Sequence, residues 1–245
     1  MIAPMNAPAQ PFSDLSELQA AREAAFAQTM DLVAERHPFY RERMAGLGLH
    51  RGDFQSLADL SKLPPTTKAE YMAAPERFVL ETEGLPLEMR TVWDTMYTTG
   101  STSGRPTPFV STSYDFFRIL ELQRQMLLLR GVTPQDVIAN LFPITPTPHG
   151  AWIRVLHAAA SLNVPVVCAM PGNPSPYFHL GHGLDEVVHL VARSRATIVW
   201  GVPSYLQRAL QRTAELGLRW PAVRLVFVTG EALSEAARAQ LQDAL

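Results

Sequence analysis

Apolar residues recur at steps of three and four from Ser13 to about Met44 (Leu15, Leu18, Ala21, Ala25, Phe26, Met30), the spacing that lines one face of a helix. Ser16 with Gln19 predicts a capping box at its start. His37-Pro38 interrupts the stretch, because proline disfavours helical backbone in the residue before it, and Gly46 and Gly48 end it. Residues 54–74 read as short helices, with Thr67-Lys-Ala-Glu70 a capping box after the Pro64-Pro65 stop. Near Val92 the pattern changes. Strand-like runs over 95–98, 137–142, 164–169, 196–200 and 225–229 alternate with amphipathic stretches over 113–130, 152–161, 183–193, 204–216 and 234–245. That alternation predicts βαβ units. The expected fold is α/β: a helical N-terminal region followed by a mostly parallel sheet flanked by helices. A loose N-terminus over 1–12, a mainly helical region over 13–91 and an α/β subdomain over 92–245 are expected. The last helical pattern reaches Leu245 with no cap, Gly or Pro after it, so the sheet is expected to be incomplete at its C-terminal end.

Composition narrows the function. Of 245 residues, 47% are apolar, enough for a sizeable core. Lys and Arg number 21 against 23 Asp and Glu, a net charge of −2, so no basic excess draws in nucleic acid. Charged residues are only 18%, and some surface is expected to await a partner. The one cysteine, Cys168, excludes an internal disulfide and suits a reducing, cytoplasmic setting. From Val155 to Leu184 prolines and glycines break what would otherwise pass for a membrane span, so no membrane role is expected.

The stretch Thr99-Gly100-Ser101-Thr102-Ser103-Gly104-Arg105 carries the clearest chemistry. Glycines let backbone N–H groups approach an anion, hydroxyls add donors, and arginine adds a charge suited to phosphate. No Gly-Lys-Ser/Thr follows, so it is not a Walker A loop. A plain polar turn is the competing reading. His149 stands between a strand and a helix, where α/β proteins bind ligands. His179, His182 and His189 lack the convergent partners of a zinc site, and no metal ligands are assigned. Cys168 reads as an inert thiol in an apolar strand.

Several segments together resemble the adenylate-forming superfamily, in particular its phenylacetate–CoA ligase-like members. They are the loop 99–105, His37-Pro-Phe-Tyr-Arg41, Leu63-Pro-Pro-Thr-Thr-Lys68, Phe142-Pro143 with His149-Gly150, Trp200-Gly-Val-Pro-Ser204 and Val228-Thr-Gly-Glu-Ala-Leu-Ser234. The resemblance implies a ligase that uses ATP and Mg²⁺ to convert a carboxylic acid to its acyl-adenylate, then passes the acyl group to a thiol such as coenzyme A. It implies that residues 99–105 hold the phosphates and that His149 orients the carboxylate. Trp200, Gly201, Val202 and Pro203 would line the acid pocket, with Tyr97, Phe142 and Trp152 hinting at an aromatic or apolar acid. Gly230 and Glu231 would lie against adenine. Ser204 with Gln207 also reads as a capping box. The loop departs from the family in having three residues between its glycines where two are usual. The resemblance covers only the family's N-terminal half. The expectation is therefore a fragment with little activity alone, completed by a missing C-terminal half or a second subunit. The alternatives are a non-catalytic nucleotide- or acyl-binding module, or a structural remnant.

Overall fold

The computed structural model describes residues 12–98, 106–144, 150–173, 179 and 181–245. It divides into two compact units, one ending at Phe116 and the other spanning Phe117–Leu245.

The first unit holds α1 (Leu15–Arg36), α2 (Pro38–Gly46), the short helices α3 (Lys68–Ala73) and α4 (Leu87–Arg90), and an antiparallel ribbon of β1 (Val92–Tyr97) and β2 (Pro108–Thr112). The expected stripe on α1 is only partly used. Phe26 and Met30 are buried, but Leu15 is 82% exposed. The Ser16–Gln19 capping box does not form. Asp14 is the N-cap, and its carboxylate takes the Glu17 N–H and the Ser16 hydroxyl. An ionised carboxylate is the stronger acceptor and also suits the helix dipole.

The two N-terminal segments of the resemblance turn out to be joined. His37 N-caps α2 through Nδ1, packed edge-on against Phe78, and burial pushes its pKa down. The Tyr40 hydroxyl meets the Thr66 hydroxyl at 2.9 Å. Thr67 and Glu70 form the expected capping box of α3, and Glu70 also pairs with Arg43. The two segments thus pack together inside this unit. β2 has no counterpart in the sequence pattern. It pairs with β1, so the strand expected near 95–98 belongs to a ribbon and not to the parallel sheet.

The second unit is the expected parallel sheet. α5 (Ser113–Leu129) leads into β3 (Ile138–Asn140), α6 (Gly150–Ala160), β4 (Val166–Cys168), α7 (Leu184–Ser194), β5 (Ile198–Gly201), α8 (Pro203–Glu215), β6 (Leu225–Val228) and α9 (Glu235–Asp243). The strand order is β4-β3-β5-β6, all parallel. Each crossover carries a helix, and the two faces acquire separate cores. Leu127, Val155 and Ala158 pack with Ile138 on one face; Val187, Val191, Leu206 and Leu241 pack with Ala139 and Val199 on the other. β3 and β5 are buried on both faces, hence their continuous apolar runs.

A polar clasp locks the amino ends of three strands. Asp136, just before β3, accepts from the Thr197 hydroxyl (2.7 Å) just before β5. It also accepts from Arg224 Nε (3.0 Å) and Nη2 (2.7 Å) just before β6, and from the Thr133 N–H (2.8 Å). Burial alone would raise the Asp136 pKa. The Arg224 guanidinium, the Thr133 N–H and the Thr197 hydroxyl together outweigh it and hold the group at about 2.

Candidate functional site

The order β4-β3-β5-β6 reverses direction at β3: the chain passes outward to β4, then returns across β3 to β5. Open parallel sheets bind ligands at such a switch point, beyond the carboxyl ends of the strands, because the following turns diverge and leave a crevice. By that rule a ligand is expected beyond the ends of β3 and β5.

Asn140 closes β3 and is fully buried. Its Oδ1 accepts from the Phe142 N–H (3.1 Å) and its Nδ2 donates to the Trp152 carbonyl in the first turn of α6 (3.0 Å). One amide therefore anchors the backbone on both sides of the β3–α6 connection. Sequence reasoning missed this residue. Asparagine is disfavoured in buried strands, and that anomaly within an apolar run was the available signal.

Beside β3, β5 runs out through Trp200, Gly201, Val202 and Pro203. Trp200 is 9% exposed and its ring lies 4.7 Å from that of Phe227. It belongs to an apolar cluster with Phe142, Val155, Trp152 and Val202. The Trp152 indole N–H is buried and meets no acceptor among the described residues. Gly201 is needed for close approach. A Cβ there would stand 3.2 Å from Leu141 Cβ, so Gly201→Ala requires Leu141 or the β5 backbone to shift by a few tenths of an ångström. We expect a loss of about 1–3 kcal/mol, as for overpacked cores, seen as a lower urea midpoint at unchanged slope.

Alongside, β6 ends in Thr229-Gly230-Glu231. Gly230 has φ +89°, a conformation L side chains rarely adopt, and is exposed. With no side chain above its backbone, it fits a planar ring stacked against the turn. Glu231 is engaged by α8. Its Oε2 accepts from the Ser204 N–H (2.9 Å) and its Oε1 from the Ser204 hydroxyl (2.8 Å). These bonds, the backbone one foremost, hold its carboxyl below the usual range. The capping box expected between Ser204 and Gln207 is absent. Val202 is the N-cap of α8 and offers no side-chain acceptor, so Glu231 serves the exposed N–H from another turn.

The structure thus brings Trp200, Gly201, Val202 and Pro203 beside Gly230 and Glu231. Thr99, Gly100, Ser101, Thr102, Ser103, Gly104, Arg105 and His149 lie outside the described residues. Thr98 and Thr107 pair across the ribbon, Thr98 N–H to Thr107 carbonyl at 3.0 Å. His182 and His189 each engage a backbone carbonyl, and burial raises the Cys168 thiol pKa. Among the described residues no group of three His, Cys, Asp or Glu could hold a metal ion. Nor, among them, is any helix long and apolar enough to cross a membrane.

No family profile matches the chain. Its fold matches that of 2-hydroxyisobutyryl-CoA ligase, solved with 2-HIB-AMP and CoA in the thioesterification state. The TM-score is 0.79 over 98% of this chain and 52% of that one, at 18% identity. The open conformation of the same ligase gives 0.78 over 98% and 56%, also at 18% identity. The chain therefore shares its fold with about half of that CoA ligase. In sequence it resembles phenylacetate–coenzyme A ligases. The Escherichia coli protein is 28% identical over 126 residues, 51% of this chain and 28% of that one. The Thermus thermophilus protein is 22% identical over 231 residues, 94% of this chain and 48% of that one. The matches thus span about half the length of the Thermus relative and of the solved ligase, and less of the Escherichia coli one.

Proposed function

We propose that this chain is the acid- and nucleotide-binding half of an AMP-forming acid–thiol ligase. In that reaction a carboxylate oxygen bonds to the α-phosphorus of ATP and pyrophosphate leaves. The sulfur of coenzyme A or another thiol then bonds to the carbonyl carbon, and AMP leaves. The observation that carries the reading is the strand order, which puts a topological switch point between β3 and β5 and sets Trp200-Gly201-Val202-Pro203 at the end of β5 with the Gly230 turn beside it. The aromatic and aliphatic cluster around Trp200 suits an acid with an apolar or aromatic tail, and the names of the relatives make phenylacetate the first probe. His149 would orient the carboxylate and residues 99–105 would hold the phosphates. The single cysteine suits a cytoplasmic setting.

The test is calorimetric titration of the purified chain with AMP and with phenylacetate, alongside ATP–pyrophosphate exchange. We expect AMP to bind and exchange to stay at background. Carboxylate-dependent exchange at the rate of a full ligase would show that the chain is more than a binding half. Failure to bind AMP would leave a structural remnant.

A further inference from the structure

The ends of β5 and β6 are adjacent and parallel, with Gly201 opposite Val228 and the Thr229 N–H 3.3 Å from the Gly201 carbonyl. Beyond them the chain forms two turns, one entering α8 and one entering α9. The Glu231 side chain bridges these turns. The Glu231 carboxylate spends both oxygens on Ser204, one on the backbone N–H and one on the hydroxyl. Gly230 makes this possible. Its positive φ turns the chain back after β6, and a Cβ there would come 3.3 Å from Val202 Cγ1. α8 has reason to accept the bridge: its N-cap is valine and its first residue proline, so Ser204 presents the first N–H of the helix. A carboxylate at that end also meets the positive pole of the helix.

We propose that Glu231 is a positioning residue that holds the acid-pocket turn, Trp200–Pro203, to the adenine turn at Gly230, and does not itself contact the nucleotide. This rests on the function proposed above. An exposed carboxylate with a serine partner adds little to global stability, so the bridge has a local purpose: it fixes the spacing of two turns that must present two reacting groups to each other. Both oxygens are directed at Ser204, which ties the carboxylate to the start of α8.

The test is a double-mutant cycle on AMP affinity with Glu231→Ala, Ser204→Ala and the pair, together with amide hydrogen exchange of the ligand-free chain. A bridge predicts that Glu231→Ala weakens AMP binding about tenfold. Ser204→Ala, which keeps the backbone donor, weakens it less, and the pair is no worse than Glu231→Ala alone. Glu231→Gln, which keeps one acceptor oxygen, restores part of the loss. Exchange at Ser204 rises in Glu231→Ala while the core of β5 stays protected. Were Glu231 a direct nucleotide contact, Ser204→Ala would leave AMP affinity unchanged and the two effects would be independent, which would overturn the proposal. Unchanged exchange at Ser204 would overturn it too, even if AMP bound normally. If the unaltered chain binds no AMP, the functional reading falls, and the positioning role with it. Raised exchange in Glu231→Ala would then mark Glu231 as a structural bridge only.

Discussion

Asp136→Asn is expected to lower the stability of this protein by about 2–4 kcal/mol, short of the full cost of breaking a buried ion pair. The reason lies at the amino edge of the sheet. Asp136 is 4% exposed and takes five hydrogen bonds, three of which, from Thr197 and Arg224, tie β3, β5 and β6 together. An amide of the same shape can keep the acceptor role at one atom only, and its NH₂ would face the Arg224 and Thr133 donors or the Thr197 hydroxyl. Arg224 keeps water on part of its side chain, which softens the loss. The pH dependence has a definite sign. The folded pKa of Asp136, about 2, lies below the ordinary 3.8, so the clasp is fully present above about pH 4 and is lost as pH falls through 2. The difference corresponds to about 2 kcal/mol. Urea midpoints measured from pH 7 to pH 2 should therefore fall more steeply for the unaltered protein than for Asp136→Asn. Parallel curves would show that the clasp carries no net stabilisation.

Asn140→Leu should cost a similar amount, about 2–4 kcal/mol, although it fills the same space with a better strand former. It removes the acceptor of the Phe142 N–H and the donor to the Trp152 carbonyl, and an unmet buried polar group costs about 1–3 kcal/mol. Asn140→Asp separates geometry from charge. The carboxylate would still accept from Phe142 but would face the Trp152 carbonyl without a proton to donate. Its folded pKa should therefore rise above the unfolded value. Destabilisation should be greatest at neutral pH and should ease as the pH falls toward that raised value, while the Leu variant shows no such relief. Thermal unfolding at pH 7 and pH 5 distinguishes the two. The Leu variant should also blunt phenylacetate binding at temperatures where it remains folded, because the carboxyl end of β3 loses its anchor. Unchanged binding would mean that the β3 end does not shape the acid site.

The chain's local patterns settled much of this protein. Alternating apolar runs and amphipathic stretches are enough to specify five of its strands, its longer helices and a parallel sheet, because burial on both faces of β3 and β5 leaves no polar position in their apolar runs except Asn140. The Thr67–Glu70 box is equally legible, since its partners lie three residues apart. The segment Trp200–Pro203 and the turn at Gly230 could be singled out from their residues and their resemblance alone.

What the tertiary structure decided are the features made by residues distant in sequence. β2 carries no pattern of its own that marks it, and only its pairing with β1 makes it a strand. The Asp136–Thr197–Arg224 clasp joins three loops across 88 residues. The N-terminus of α8 looked self-sufficient, with serine and glutamine at capping spacing. A glutamate 27 residues away took the place of that box, because an ionised carboxylate outcompetes a neutral amide for an exposed helix N–H and the β6 turn happens to deliver it. Sequence spacing reports contacts within one helix or one turn. The strand order, the switch point it creates and the bridges between neighbouring turns depend on which elements pack side by side, and that is fixed only when the two cores close.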